Sequence, residues 1–174
     1  APGAFVERKR FTLSRAKAIE KQREYALRHP QQYILELVQA AVLAGATYIA
    51  LDVSDETVLI AFIGSKLLKK EELENVFDYL FADRADTEHR HLVQLAIGIN
   101  AMLQRKPKAI RIESGDGTVA NAVRMDLNAK GKGTVGVPTN PINGTYLIME
   151  KPGSWFKRFQ NVQLHPEARL IEER

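Results

Sequence analysis

The run YILELVQAAVLAGATYIALDV, residues 33–53, constrains the fold more than any other stretch of the chain. Ile34, Leu37, Val38, Ala41 and Val42 recur at helical spacing, and Gly45 is placed to close that helix in the left-handed conformation. Pro30 suits its first turn. Beyond the glycine the pattern changes to the β-branched, alternating residues of a strand, so a mostly buried helix must turn back against a sheet. In the middle of this apolar run stands one carboxylate, Glu36. A buried, unpaired carboxylate costs several kcal/mol or takes up a proton, so Glu36 requires a partner or a task.

The remaining patterns build around that unit. SRAKAIEKQREYAL, 14–27, reads as an amphipathic surface helix with Ser14 as N-cap. TYIALDVS and TVLIAFI form a hairpin about Asp55 and Glu56. In KKEELENVFDYLF, the spacing of Leu73, Val76, Phe77 and Leu80 predicts one helix with a single apolar face. ADRADTEHR, 82–90, has no apolar periodicity and reads as a loop of the length at which function is suspected. A third apolar helix follows in HLVQLAIGINAMLQ. Next come strands at 108–113 and 118–127 about the turn Gly115, Asp116 and Gly117, then a turn at 128–133 and a strand from Gly144. WFKRF is expected to begin another helical turn. This order predicts a two-layer α/β sandwich, with helices on one face of an antiparallel or mixed sheet.

Composition narrows the classes of function. A chain of 174 residues, 45% hydrophobic and 26% charged, fits one domain with a real core. It holds no stretch of the ~20 apolar residues that span a bilayer, so no membrane partner is expected. Without cysteine there is neither a disulfide nor a thiolate metal site, which suits a cytoplasmic setting. The net charge of +4 is spread over VERKR, KLLKK, QRKPK, KGK and FKRF, with no aromatic and basic stacking strip, so nucleic acid is the weakest candidate partner. The absent initiator Met and the charged end RLIEER lead us to expect that residues 1–174 are the N-terminal part of a longer protein with flanking domains.

ELVQAAVLAGATYIALDV resembles the motif of the GHKL superfamily: the gyrase, histidine-kinase, MutL and large heat-shock chaperone type of ATPase, closest to the chaperone N-terminal domain. The resemblance extends over 11–151 and implies a Bergerat-type ATP-binding fold with ATP and Mg²⁺ as the cofactors to consider. It places Glu36 at the family's general base and Ala40 where the family has its Mg²⁺-holding asparagine. Glu36, Ala40 and Leu43 stand at i, i+4 and i+7, so one helix face reads acid, methyl, isobutyl, a poor set for a cation that demands oxygen ligands.

The resemblance also implies an adenine-reading aspartate near Gly64, where Phe62 and Ile63 stand instead and cannot accept a hydrogen bond. A glycine-rich lid is implied where only Gly98 occurs, and a threonine near the nucleotide at Thr145, after Gly144. On their own residues, Gly64 reads as a strand-to-helix turn, Gly98 as helix packing and Thr145 as a strand start. Arg84, Arg90 and His91 could offer positive charge to a phosphate, or simply face solvent.

Other chemistry finds less support. His89 and His91 beside Asp86 and Glu88 lack a second histidine pair for a metal site, and KGKGT lacks the strand-to-helix frame of a P-loop. Ser14, Ser65 and Ser114 have no evident His/Asp company for nucleophilic catalysis. The expectation is a degenerate ATPase-type domain that serves as a binding, dimerisation or regulatory module, a homodimer included. The alternatives are a divergent ATP-binding domain, in which Glu36 remains the base and Lys66, Arg84 or Arg90 replace the missing contacts, and, least, a basic nucleic-acid binder.

Overall fold

The computed structural model describes residues 28–82 and 87–153, together with 17, 18, 20, 21 and 24. Of the helix predicted over 14–27, Lys17, Ala18, Glu20, Lys21 and Glu24 are helical; its other residues, like WFKRF, lie outside the described set.

The described elements run α1 (Gln32–Leu43), β1 (Tyr48–Val53), β2 (Thr57–Ile63), α2 (Lys70–Glu74), a 3-10 helix (Val76–Phe81), α3 (Arg90–Leu103), β3 (Ala109–Asp116), a 3-10 turn (Val119–Asn121), β4 (Val123–Asn128), β5 (Gly133–Gly136) and β6 (Asn143–Glu150). The six strands form one sheet in the order β1-β2-β6-β3-β4-β5, and every pairing is antiparallel. The fold is therefore the expected two-layer α/β sandwich.

Alternation along the strands builds the core. Val58, Ile60, Phe62, Ile110, Ile112, Leu147 and Met149 point to the helical side and pack with Leu37, Ala40 and Ala41 of α1 and Leu95, Ile99 and Met102 of α3. On the opposite face, Leu59, Ala61, Tyr146 and Ile148 make a smaller buried cluster. Beside it on that face, the Arg111 guanidinium bonds the Asp126 carboxylate at 2.8 Å, and Arg124 reaches the same carboxylate at 3.2 Å.

Several predicted boundaries change, each for a local reason. Helix α1 starts at Gln32, because Pro30 and Gln31 form a turn in which Gln32 N–H donates to His29 C=O (2.9 Å); at its far end Gly45 takes φ 84°, as expected of the cap. The single helix predicted over 69–81 breaks at Asn75. Its side-chain amide and backbone N–H both donate to Glu71 C=O, which closes α2 after five residues. The chain continues as a 3-10 helix of mostly aromatic and β-branched residues.

The hairpin turn is also longer than Gly115, Asp116 and Gly117. The Asp116 carboxylate accepts from Thr118 N–H (2.9 Å), Thr118 Oγ1 (2.6 Å) and Asn121 Nδ2 (2.8 Å), which draws 118–121 out of the ladder and delays β4 to Val123. Three such donors hold the Asp116 carboxyl down at about 2. A sixth strand, β5, was not predicted; it pairs with β4 just after the expected turn at 128–133.

Candidate functional site

The sequence pointed to the space between α1, the β2–α2 connection, the start of α3 and the start of β6. A cleft lies there, lined by Ala40 and Ala44 of α1, Phe62 of β2, Lys66 and Leu68 of the connection, His91 and Leu95 of α3, and Thr145 of β6. It leaves about 10 Å³ open to the centre of a water molecule, which is room for about one water. Its walls are mostly hydrocarbon. Ala40 and Phe62 are 3% and 4% exposed, so the position that the family resemblance assigns to the metal ligand, and one of the two it allows for the adenine ligand, carry a methyl group and a benzyl ring packed into the core.

Two hydroxyls beside the cleft are engaged with each other. Thr145 is buried with its Oγ1 2.8 Å from Ser114 Oγ, and Ser114 Oγ accepts from Leu68 N–H at 3.0 Å. This pair ties β3 and β6 to the connection after β2. Lys66 is exposed at the mouth, where its backbone N–H donates to Ala44 C=O (2.9 Å) and fixes the connection against the end of α1. His91 is buried at the start of α3. Burial pushes its imidazole below the usual range; the Lys66 ammonium and His89 add to the shift, and the Glu72 carboxylate opposes it. The adjoining Ser65 Oγ is buried without a hydrogen-bond partner.

Glu36 is not among the residues that line this cleft. It sits half-buried on α1, where its carboxylate accepts a close hydrogen bond from Gln94 Nε2 of α3 and a longer one, 3.4 Å, from Gln32 Nε2 one turn before it. Gln94 Nε2 also lies 3.3 Å from the Glu36 backbone oxygen. The arrangement clasps α1 to α3 and answers the question of the acid in an apolar helix: Glu36 has amide donors on two sides. Sequence reasoning missed Gln94. The available signal was a side-chain amide between Val93 and Leu95 in the otherwise apolar run 92–99, the counterpart of Glu36 in its own helix.

The other candidates are dispersed. Leu43, grouped with Glu36 and Ala40 by spacing, is 41% exposed and is absent from the cleft wall. Gly64 takes φ 78°, and a Cβ there would lie 2.4 Å from Thr47 Oγ1, so it serves the turn that lets β2 leave the sheet beside Thr47. Gly98 faces Leu37: a Cβ would come within 2.5 Å of Leu37 Cδ2, so this glycine lets α1 and α3 approach. Arg90, the first residue of α3, is exposed, and Arg84 lies outside the described residues. Asp86 of the suggested histidine cluster also lies outside them, and His89 stacks against Tyr79 with ring centroids 5.9 Å apart. Among the described residues, no three His, Asp or Glu side chains converge as a metal site would need. No helix among them is long and apolar enough to cross a membrane.

No protein-family model matches the chain, and no curated protein matches it in sequence. Among solved structures it is similar to one described as the N-terminal domain of a DNA repair protein, at 12% identity and a TM-score of 0.47. That similarity covers 76% of this chain, which spans 40% of the length of the other.

Proposed function

We infer that this chain is a GHKL-type α/β domain that has lost ordinary ATP hydrolysis and acts as a binding, dimerisation or regulatory module. The observation that carries this reading is the state of Glu36. A general base must stand beside its substrate with a lone pair facing the attacking water, whereas the Glu36 carboxylate is held by the amides of Gln94 and Gln32 and does not line the cleft. The cleft adds support from the other side. Lined by Phe62, Leu95 and Ala40 among others, it has room for about one water, while small-molecule sites run to hundreds of Å³.

One observation favours the second reading, a divergent ATP-binding domain: Lys66 and His91 stand together at the cleft, and Lys66 could meet a phosphate there. A hydrolysis assay separates the two. On the first reading, phosphate release from ATP with Mg²⁺ stays at the buffer background in the native protein and in Glu36→Gln alike. Release that is well above background in the native protein and abolished in Glu36→Gln would restore Glu36 as a catalytic base.

A further inference from the structure

The two edges of the sheet are built differently. β5 is a blunted edge: four residues, two of them glycine. β1, the other edge, is six residues long, and proline, lysine and arginine are absent from it. Natural edge strands usually carry such a device, because a row of unpaired amides and carbonyls recruits another strand.

The ladder sets which groups β1 offers. Ser54 N–H donates to Thr57 C=O (2.9 Å) where the hairpin closes. By the alternation of antiparallel pairing, Tyr48, Ala50 and Asp52 then direct their backbone groups to β2, and Ile49, Leu51 and Val53 direct theirs outward. The register places the side chains of these last three opposite Phe62, Ile60 and Val58, on the helical side of the sheet. Ile49 packs into the core, but Leu51 and Val53 are 39% and 53% exposed. Among the described residues no strand pairs with these outward groups, so the open backbone edge and the exposed aliphatic side chains belong to the same residues.

We propose that β1 pairs antiparallel with β1 of a second copy of this chain about a two-fold axis at Leu51, which continues the sheet across the dimer. The sequence of the strand favours a copy of itself over a foreign segment. On a two-fold axis a charge meets its own like, and the helical-side residues Ile49, Leu51 and Val53 carry none. Centred on Leu51, the register sets Leu51 against Leu51 and Ile49 against Val53, apolar upon apolar throughout. It also sets Asp52, the one charged residue of the strand, opposite Ala50 of the second copy instead of opposite itself. The proposal deepens the binding-module reading and rests on it for the role of the pairing, while the pairing itself is read from the strand.

The test is self-association of the full chain without nucleotide, followed by light scattering behind size exclusion from micromolar to submillimolar protein. The native chain is expected to approach twice its monomer mass as concentration rises, and its amides at Ile49, Leu51 and Val53 to exchange hydrogen more slowly as it does. Leu51→Lys and Leu51→Glu, each checked by circular dichroism for a native spectrum, are each expected to be monomeric. Mixed in equal amounts they are expected to form a heterodimer, because the axis brings residue 51 of one copy onto residue 51 of the other. Val137→Lys, beyond the opposite edge, should leave the dimer intact. A native chain that stays monomeric throughout, a Leu51→Lys protein that still dimerises, or a Lys and Glu mixture that fails to associate would each overturn the pairing. None of these results bears on nucleotide binding, so failure here is distinct from failure of the reading of the cleft.

Discussion

A carboxylate placed in an apolar helix must be given partners, and Glu36 obtains them from Gln94 and Gln32. Hydrogen bonds to a charged acceptor are worth roughly 1.5–3 kcal/mol when buried, and partial exposure reduces that here. Glu36→Ala and Gln94→Ala should therefore each lower unfolding stability by about 1 kcal/mol in urea titrations. The double variant should lose less than the sum, because the two changes delete the same bond. Strict additivity would show that the clasp is not a stabilising unit. Ser65 offers the reverse case: its buried, unpartnered hydroxyl makes Ser65→Ala neutral or stabilising, by up to about 1 kcal/mol.

His91 gives a pH dependence. Its folded pKa lies below the unfolded 6.5, so between the two values the unfolded chain binds more protons. Stability is complete above 6.5 and falls as pH drops through the folded pKa. Urea midpoints at about pH 7.5 and 5.5 should differ more for the native chain than for His91→Leu, and equal differences would remove His91 from that step. Glu36 was conspicuous in the sequence, but its use was not legible, since the amide that holds it stands 58 residues away and no local pattern couples the two.

At the level of elements, the strongest periodicities translated directly. α1, the hairpin of β1 and β2, α3 and β6 stand where apolar spacing and turn residues put them, because each carries a long apolar face that only one packing satisfies. Two of the misread elements are decided by local side-chain hydrogen bonds. Asn75 ends α2 early, and Asp116 holds 118–121 out of the ladder. β5 escaped notice because four residues with two glycines give no alternation to read, and its place comes from pairing with β4.

Gly98 belongs to this scale as the contact point of two helices. Gly98→Ala gains about 1 kcal/mol in helix propensity. Against that, its Cβ must displace the fully buried Leu37 side chain, and overpacking of this kind costs about 1–3 kcal/mol. A net loss of about 1 kcal/mol is expected, read as a melting temperature lowered by a few degrees. A raised melting temperature would mean that α1 and α3 are packed less closely than their geometry indicates.

For the whole molecule, the architecture and the cleft lead in different directions. The α/β sandwich with α1 and α3 over an antiparallel sheet is the layout that the order of elements in the sequence predicted, and fold by itself leaves function open. The cleft in that layout is lined mostly by hydrocarbon, Phe62, Leu95 and Ala40 among it, and the Thr145 hydroxyl on its wall is bonded to Ser114. A thermal-shift titration of the full chain with ATP and ADP, with and without Mg²⁺, tests the proposed loss of a nucleotide site most directly. The account predicts a melting temperature unchanged into the millimolar range. A ligand at 100 times its dissociation constant would stabilise the fold by about 2.7 kcal/mol, on the order of 5–10 °C for a domain of this size, and a saturable rise of that kind would contradict it.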